Sequence, residues 1–287
     1  MKPEMDLRRA SMVFVYGVLV VYSILTLIPF LWLMAGSFKT NADFFAYLLL
    51  PLGDGLFGIA WDRLTLSHYA SLFTELEFAS RIVNSVFLSS VTSLLATFFA
   101  ALGGFALSKY AFRGRQVLTA LVLSAIIIPA PLLIAPVYEL LYRLGLLNTY
   151  TGLILPAMGP AFGIFLFRQA MLNSVPSEML DAARIDGCGE FRIFMVVVLP
   201  IVRPMAGAFM LITFLMTWNN FIGPQVVLQD PSKFPLSVSI AQLRGIYTTE
   251  YGMIAAGTLV SIAPVMGIFL LLQREFISGL TSGAVKG

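Results

Sequence analysis

Charged residues are scarce in this chain. Asp, Glu, Lys and Arg make up only 11% of its 287 residues, whereas 59% are hydrophobic. A soluble domain carries about a quarter charged residues, so this composition excludes an ordinary soluble domain. Apolar stretches recur from Met12 almost to the C-terminus, and a single membrane anchor does not account for them. Most of the chain is therefore expected to lie in a membrane.

Cysteine and histidine are nearly absent. The lone Cys188 excludes an intramolecular disulfide framework, and the lone His68 excludes the histidine clusters of zinc or haem sites. His68 falls in a loop that we expect outside the membrane, where it is predicted to be an ordinary surface histidine. The formal net charge of +3 is too small to indicate a nucleic-acid partner.

Motifs for ATP hydrolysis and metalloprotease chemistry are also missing. The chain has no Gly-x-x-x-x-Gly-Lys-[Ser/Thr] phosphate loop and no His-Glu-x-x-His pair, so it is predicted not to be an enzyme.

An ion-driven secondary transporter is one alternative function, and such a protein usually needs embedded carboxylates or broken helices. Glu139 is the only acid near a predicted span, and Arg143 follows it as an i,i+4 partner. A polytopic membrane enzyme is a second alternative, but the spans contain no acidic pair.

Six segments are apolar enough to cross a bilayer, which takes about 20 residues. They are residues 12–36, 84–108, 117–141, 151–172, 204–228 and 252–272. The first apolar run is far longer than the roughly 7–15 residues of a signal-peptide core, so we expect it to be retained. Prolines in the spans predict kinks, which membrane helices tolerate. The predicted fold class is all-α, a polytopic membrane protein with six transmembrane helices.

Lys and Arg collect on one side of this arrangement. Cytoplasmic loops carry these residues in excess, and most of them fall inside if both termini are inside. Residues 1–11 and 273–287 are therefore predicted to be cytoplasmic. Two long outer segments, 37–80 and 229–250, are candidates for contact with a periplasmic protein. The alternative for both is an interfacial loop with an aromatic belt.

The cytoplasmic loop 173–203, between the fourth and fifth spans, has a helical pattern. Ser177 is a predicted N-cap, and Glu178 and Asp181 place negative charge near the positive end of the helix dipole. Gly187 suits a left-handed helix end, which a side chain with a Cβ would strain. A short helix, a glycine stop and a second helix are predicted.

Small apolar residues share one face of the first helix in this loop. Leu180, Ala183 and Gly187 lie together, with Met179 and Ala182 beside them. The charged rim around this face consists of Glu178, Arg184 and Asp186. An apolar contact inside a charged rim is what a docking helix requires. An amphipathic surface helix is the alternative.

The sequence from Asp181 to Pro200 resembles the signature loop of ABC importer permeases. That signature reads Glu-Ala-Ala, three residues, Gly, nine residues, Ile, any residue, Leu-Pro. Here Asp181 takes the place of the Glu and Val197 that of the Ile. Residues 184–187, Arg-Ile-Asp-Gly, are similar to the carbohydrate-uptake branch in particular.

Two further stretches carry the same resemblance. Residues 279–287, Gly-Leu-Thr-Ser-Gly-Ala-Val-Lys-Gly, are similar almost residue for residue to the end of the second permease subunit of maltose-type transporters. Trp218-Asn219-Asn220-Phe221 resembles the family's Trp-Asn-Glu-Phe, with Asn220 where an acid is common. The resemblance covers nearly the whole chain.

The resemblance implies a type I ABC importer permease fold, with a permease domain over residues 12–272, and import of a carbohydrate across the bacterial inner membrane. The implied partners are a second homologous permease, two cytoplasmic ATPase subunits, a periplasmic binding protein and membrane lipid, without nucleic acid. ATP and Mg would be bound by the ATPase subunits, and this chain would hold no cofactor.

The resemblance also assigns roles to particular residues. The loop 173–203 would be the coupling helix that docks on an ATPase. Its coupling residues would be Glu178, Asp181, Ala182, Ala183, Arg184, Asp186 and Gly187. The C-terminal tail would reach between the ATPase subunits and contact them through Thr281, Gly283 and Lys286.

Neutral polar and aromatic residues in the spans are candidates for the substrate path, because sugars stack on aromatic faces and accept hydrogen bonds. The candidates are Asn84, Ser85, Tyr138, Trp218, Asn219 and Asn220. The alternative for each is a structural role, since polar groups in spans also bond between helices. The carbohydrate itself stays open among maltodextrins, trehalose, glycerol phosphate, acidic oligosaccharides and others.

Overall fold

A computed structural model describes the backbone of residues 2–244 and 249–282 and the side chains of residues 12–244, 249–271 and 273. Its helices are α1 (Lys2–Gly36), α2 (Asn41–Phe44), α3 (Ser67–Thr74), α4 (Phe78–Lys109), α5 (Arg115–Ile127), α6 (Ile134–Arg143), α7 (Tyr150–Ala157), α8 (Ala161–Ser174), α9 (Ser177–Ile185), α10 (Glu190–Ile193), α11 (Leu199–Ile201), α12 (Arg203–Trp218), α13 (Ile222–Val227), α14 (Leu236–Gln242) and α15 (Tyr251–Ser282). A π-helical turn, Phe194–Val198, joins α10 to α11. Single β-bridges occur, but these described residues contain no strand.

Within the described chain, three single helices are long and apolar enough to cross a membrane. They are Met12–Gly36 within α1, Phe78–Lys109, and Tyr251–Leu271 within α15. Three bent pairs meet the same criterion, namely α5 with Ala130–Arg143, α7 with α8, and Glu190–Ile201 with α12. If each pair counts as one span, the chain has the six predicted spans. The all-α polytopic fold class is confirmed.

The bends in these pairs coincide with prolines. The three pairs bend by 102°, 40° and 83° in chain order. Pro129 precedes the 3₁₀ turn that leads into α6, Pro160 precedes α8, and Pro204 lies in the first turn of α12. Proline fits the first turn of a helix, whereas further along it removes a backbone hydrogen bond and favours a kink or a break. Pro29 and Pro264 nevertheless lie within the continuous helices α1 and α15. The predicted kinks are therefore breaks between helices at these three places.

The fifth span ends earlier than the sequence predicts. α12 stops at Trp218, and the predicted continuation to residue 228 is wrong. Asn219 Nδ2 donates to Leu215 O at 2.8 Å, while Asn220 Oδ1 accepts from Gly223 N at 3.2 Å. These side-chain amides offer the backbone an alternative to the helix ladder. The apolar run that follows forms the separate helix α13.

The last helix runs further than predicted. α15 continues to Ser282, past the predicted end of the sixth span at residue 272. Thr281 therefore lies in the last turn of α15. Gly283 and Lys286 lie outside the described residues.

The chain divides into two compact units. The first unit combines the residues up to Phe78 with Ile240–Ile262, and the second combines Ala79–Ser239 with the residues from Ala263 onward. Small residues allow close helix packing in the second unit. A Cβ at Gly104 would meet Phe167 Cβ at 2.6 Å, and one at Gly163 would meet Phe209 Cζ at 2.5 Å. Glycine lets helix backbones approach each other in a membrane.

The first unit contains a fully buried lysine. Lys39 Nζ donates to Phe44 O at 3.1 Å and to Tyr47 O at 2.7 Å. Lys39 O in turn bonds His68 Nε2 at 2.9 Å. Because His68 is only 6% exposed, its prediction as an ordinary surface histidine is wrong. Its partner lies 29 residues away, and no local pattern signals that contact.

Candidate functional site

The loop 173–203 begins with the predicted short helix. α9 spans Ser177–Ile185, and Glu178 lies in its first turn, near the positive end of the helix dipole. The predicted N-cap at Ser177 is wrong, because no side chain caps this helix and Pro176 occupies the cap position. With φ −64° and ψ 141°, Pro176 already has the extended conformation that an N-cap adopts.

One face of α9 is buried. Leu180 and Ala183 pack into the hydrophobic core of the second unit. The sequence predicts that these two residues face a docking partner, and this prediction is wrong, because they contact the chain's own spans. The outward apolar residues are Met179, Ala182 and Ile185, of which Ile185 is 87% exposed.

Gly187 ends α9 in the predicted left-handed conformation, with φ at 79°. Gly187 N donates to Arg184 O at 3.0 Å, and Cys188 N donates to Ala183 O at 3.0 Å. These paired bonds form a Schellman motif. A Cβ at Gly187 would meet no atom within 4 Å. The position therefore favours glycine because of its backbone angle and not because of crowding.

Arg184 connects α9 to the helix that follows. Its Nη1 donates to Asp181 Oδ1 at 2.7 Å, and its Nε donates to Glu190 Oε1 at 2.8 Å. The hydrogen bonds to Glu190 and Asp181 raise the pKa of Arg184. Glu190 is the first residue of α10, so the pair fixes the two helices relative to each other. Exposed ion pairs contribute only about 0–1 kcal/mol each, so this link sets geometry more than stability.

Lys109, the last residue of α4, and Tyr110, which follows it, contact α10 and the residues just before α9. Tyr110 Oη donates to Glu190 Oε2 at 2.5 Å. Burial, together with this hydrogen bond, raises the pKa of Tyr110 to about 12. Lys109 Nζ donates to Val175 O, just before α9. A displacement of the loop therefore has a direct physical route to α4.

Three of the predicted substrate residues surround one segment that follows α13, residues 232–237. Asn84 Nδ2 donates to two of its carbonyls at 2.8 and 3.1 Å. Ser85 Oγ accepts from one of its backbone N–H groups at 2.7 Å, and Asn220 O accepts from one of its hydroxyls at 2.8 Å. These polar groups hold the segment against α4 and the end of α12.

The other three candidates have different surroundings. Trp218 is buried and stacks on Phe214, with 5.7 Å between the ring centroids. Asn219 is exposed at the end of α12, and Tyr138 is half-buried in α6. Trp218 therefore supports the helix end from within and does not present an open aromatic face.

A cavity of about 500 Å³ lies between α4, the π-helical turn and α12. Among the described residues, its lining is apolar apart from Thr97 and Arg203, and it includes none of the six substrate candidates. A sugar needs many hydrogen-bonding groups, so this lining suits a sugar poorly.

Comparison with known proteins decides the family. A family model described as binding-protein-dependent transport system inner membrane component matches residues 93–274. The chain belongs to this family. The matched range contains α8–α12, the whole loop 173–203 and four of the six substrate candidates.

Several relatives of this family member span nearly its full length. The Arabinooligosaccharides transport system permease protein AraQ of Halalkalibacterium halodurans is 37% identical over 90% of this chain and 91% of its own. The Lactose transport system permease protein LacG of Rhizobium radiobacter is 30% identical over 97% of this chain and 98% of its own. A solved bacterial ABC transporter involved in the import of the acidic polysaccharide alginate has a TM-score of 0.75 and 22% identity, covering 93% and 97% of the two chains. That likeness shows the fold, which is the one found in ABC importer permeases.

Three residues at the loop of this inner-membrane component are not predicted from sequence. They are Lys109, Tyr110 and Glu190. Tyr110 and Glu190 are 80 residues apart, and their contact depends on the packing of α4 beside the loop. The available signal is weak. It consists of a charged residue and a tyrosine directly after a span, and an acid directly after a glycine turn.

Proposed function

We propose that this chain is one of two membrane-spanning permease subunits of a bacterial ABC importer for a carbohydrate, in particular an oligosaccharide. The relatives named for arabinooligosaccharides and lactose support the substrate class. A periplasmic binding protein delivers the carbohydrate, and a second homologous permease completes the pore. Two cytoplasmic ATPase subunits bind ATP and Mg, and this chain holds no cofactor and has no ATPase site of its own.

The outward face of α9 carries this proposal. Met179, Ala182 and Ile185 form an exposed apolar surface on a helix whose opposite face is buried. Glu178, Asp181 and Asp186 border it. Exposed apolar surface with a polar rim marks a protein interaction site. We assign this surface to the cleft of an ATPase subunit.

The contacts around Arg184 provide a mechanism for coupling. When the ATPase subunits close, α9 moves with them, and the turn at Gly187 and the Arg184–Glu190 pair carry α10 along. Tyr110 and Lys109 pass the displacement to α4. The spans then rock between inward-open and outward-open arrangements, as rigid elements do in alternating access.

This proposal fixes the topology of the chain. Residues 1–11 and the tail 273–287 are cytoplasmic, and the permease domain spans residues 12–272 in the inner membrane. The tail contacts the ATPase subunits through Thr281, Gly283 and Lys286. Removal of residues 279–287 is expected to lower substrate-stimulated ATPase activity without altering membrane insertion, which purified complexes in lipid would reveal.

The substrate path is proposed along the outer ends of α4, α6 and α12. Asn219 and Tyr138 are the candidates for direct contact with sugar. Asn84, Ser85 and Asn220 shape the path by holding the segment 232–237. Trp218 supports it from the core side.

The lone thiol tests topology and docking together. Cys188 follows Gly187 directly, so an impermeant maleimide should label it only when the cytoplasmic face of the membrane is exposed. As a matched control, Glu75→Cys in a Cys188→Ser chain should label only from the periplasm, because Glu75 is exposed in the outer segment 37–80.

Assembly with the ATPase subunits should slow the labelling of Cys188. A cysteine introduced into the ATPase cleft should form a disulfide with Cys188 if the two Cα atoms come within about 7 Å. Labelling of Cys188 from the periplasm would overturn the topology. If Cys188 is labelled from the cytoplasm at a rate that the ATPase subunits do not change, and no crosslink forms from several cleft positions, the topology is supported and the docking assignment is contradicted.

A further inference from the structure

The outer segment 37–80 contains an unusually apolar loop, which lies in the first unit. Between Phe44 and Trp61 the sequence has a single charged residue, Asp54. Leu48 is 80% exposed, and Leu49, Leu52 and Leu56 are also exposed. Contiguous exposed apolar surface of this kind marks an interaction site with protein or membrane.

Phe57 stands at the tip of this loop in a strained conformation. Its φ of 61° and ψ of 20° lie in the left-handed region, which bulky side chains avoid. Gly58, which follows Phe57, also has a positive φ, of 72°, and glycine adopts that conformation without strain. The Phe57 side chain is 85% exposed. Strain that presents an aromatic ring outward indicates that the ring has a partner.

The loop satisfies much of its own backbone. Gly53 N donates to Gly58 O at 3.1 Å, and Ala60 N donates to Pro51 O at 2.9 Å. Trp61 Nε1 donates to a carbonyl within the loop, Leu56 O, at 3.0 Å. Irregular backbone enters an apolar medium only when its polar groups are paired in this way.

The base of the loop is attached to the outer ends of two spans. Phe44 packs against Trp32 in the last turns of α1, with ring centroids 5.1 Å apart. Phe45 packs against Tyr251, the first residue of α15, at 4.8 Å. Asn41 Nδ2 also donates to Thr249 O at 2.9 Å. On the proposed topology, these contacts lie at the outer ends of the candidate spans Met12–Gly36 and Tyr251–Leu271, so the loop emerges at the depth of the lipid headgroups.

We propose that residues 45–61 form a membrane-interface anchor, whose leucines and Phe57 enter the outer leaflet beside α1 and α15. Leucine, phenylalanine and tryptophan are the side chains that interfacial anchors use. The occupant we assign is lipid, because the apolar surface continues from the outer ends of two membrane spans. With no Lys or Arg in the loop, the anchor needs no anionic lipid, and Asp54 limits its depth to the headgroup region.

Spin-label accessibility tests this anchor in the full importer complex. A nitroxide is placed at Phe57→Cys in a Cys188→Ser chain, and the complex is reconstituted into phosphatidylcholine nanodiscs. Oxygen concentrates in lipid, whereas nickel–EDDA stays in water. We expect the label at position 57 to respond to oxygen and to be shielded from nickel–EDDA. Asp62→Cys, an exposed acid just beyond the loop, is the matched control and should show the reverse pattern.

Three outcomes would overturn the anchor. Free access of nickel–EDDA to position 57 would show that the loop stands in water. Shielding from both reagents would show that protein covers the ring. A response to oxygen that is lost when binding protein is added would assign the surface to that protein. A second label, at Leu56→Cys in a Phe57→Gly background, separates insertion from folding. Without the Phe57 ring, this label should gain access to nickel–EDDA, and the complex should still assemble.

Discussion

Two cations in this permease are held in opposite ways. Lys39, in the first unit, is fully buried, and its ammonium group contacts the neutral carbonyls of Phe44 and Tyr47. Arg184, in the loop 173–203, is partly exposed and contacts the carboxylates of Asp181 and Glu190. Burial lowers the pKa of Lys39, whereas hydrogen bonds to carboxylates raise that of Arg184.

The difference separates two kinds of contact. The buried contacts of Lys39 form a fixed brace, and the exposed ion pairs of Arg184 form a movable link. A buried ammonium group has lost its water, so its carbonyl partners cannot leave without a large cost. An exposed guanidinium can exchange a carboxylate for water at a cost of about 0–1 kcal/mol. The first arrangement suits a segment that keeps one shape, and the second suits the moving coupling loop that we propose.

Loss of the buried lysine should have the largest effect. Lys39→Met leaves two carbonyls without their donor, and each unmet group costs about 1–3 kcal/mol. We expect the free energy of unfolding to fall by about 2–4 kcal/mol and the yield of assembled complex to drop. Thermal unfolding of the purified complex measures this effect.

Lys233→Met is the matched control for the buried lysine. Lys233 Nζ also donates to a backbone carbonyl, Asn148 O, at 2.9 Å, but its side chain is 37% exposed. Water can replace that donor, so the expected loss is below about 1 kcal/mol. Equal losses of stability in the two variants would contradict the claim that burial makes the contacts of Lys39 costly to lose.

Sequence predicts the loop better than the brace, for a physical reason. The six spans and the turn at Gly187 follow from local patterns, namely apolar length and a glycine where a left-handed residue ends a helix. Lys39 and His68 are 29 residues apart, and Tyr110 and Glu190 are 80 apart. Contacts at such separations depend on how helices pack, which a single sequence does not reveal.

The buried face of α9 shows the same limit on what a single sequence can predict. Helical periodicity correctly places Leu180 and Ala183 on one side. Periodicity alone does not say whether an apolar face meets the chain's own core or a partner. Among the substrate candidates, Asn84 and Ser85 are polar in a span as expected, but their bonds to the segment 232–237 appear only in the fold.

The turn at Gly187 should give the next largest effect. Gly187→Val places a β-branched residue at φ 79°, which costs about 1–2 kcal/mol. We expect the chain to insert normally and transport to fail, because α9 no longer holds its outward face in place. Uptake into vesicles, compared at equal membrane levels of the protein, measures this loss.

Gly189→Val is the control for that turn. Gly189 also has no atom within 4 Å of a Cβ, but its φ is −69°, where valine is unstrained. Near-normal uptake by this variant is expected. Comparable failure of both variants would mean that any change in the loop stops transport, and the special role of the left-handed turn would be lost.

The ion pair between α9 and α10 should show a smaller effect of a different kind. Glu190→Gln keeps the shape but removes the charge that faces Arg184, so stability should change by less than about 1 kcal/mol. If the pair transmits movement, more ATP should be hydrolysed per sugar imported. Glu139→Gln makes the same change in an exposed ion pair outside the loop, where Arg143 Nε contacts Glu139 Oε1 at 2.7 Å, and should leave this ratio near that of the parent protein. A raised ratio in both variants would assign the effect to the loss of any surface carboxylate and not to the link with α10.

The smallest effect is expected at Tyr110, where Tyr110→Phe removes one hydroxyl and leaves the ring. The hydroxyl donates to Glu190, whose side chain is reached by water, so the loss of this one bond should cost less than about 1 kcal/mol. We expect a modest rise in ATP hydrolysed per sugar, smaller than in Glu190→Gln.

Because the pKa of Tyr110 is raised to about 12, the protonated phenol is favoured in the fold. Its contribution is complete below the usual phenol pKa of about 10 and is lost only as the pH rises towards 12. The difference between the parent protein and Tyr110→Phe should therefore stay constant from pH 7 to about pH 9. A difference that shrinks across this range would show that the phenol ionises earlier and that its bond to Glu190 is not maintained in the working complex.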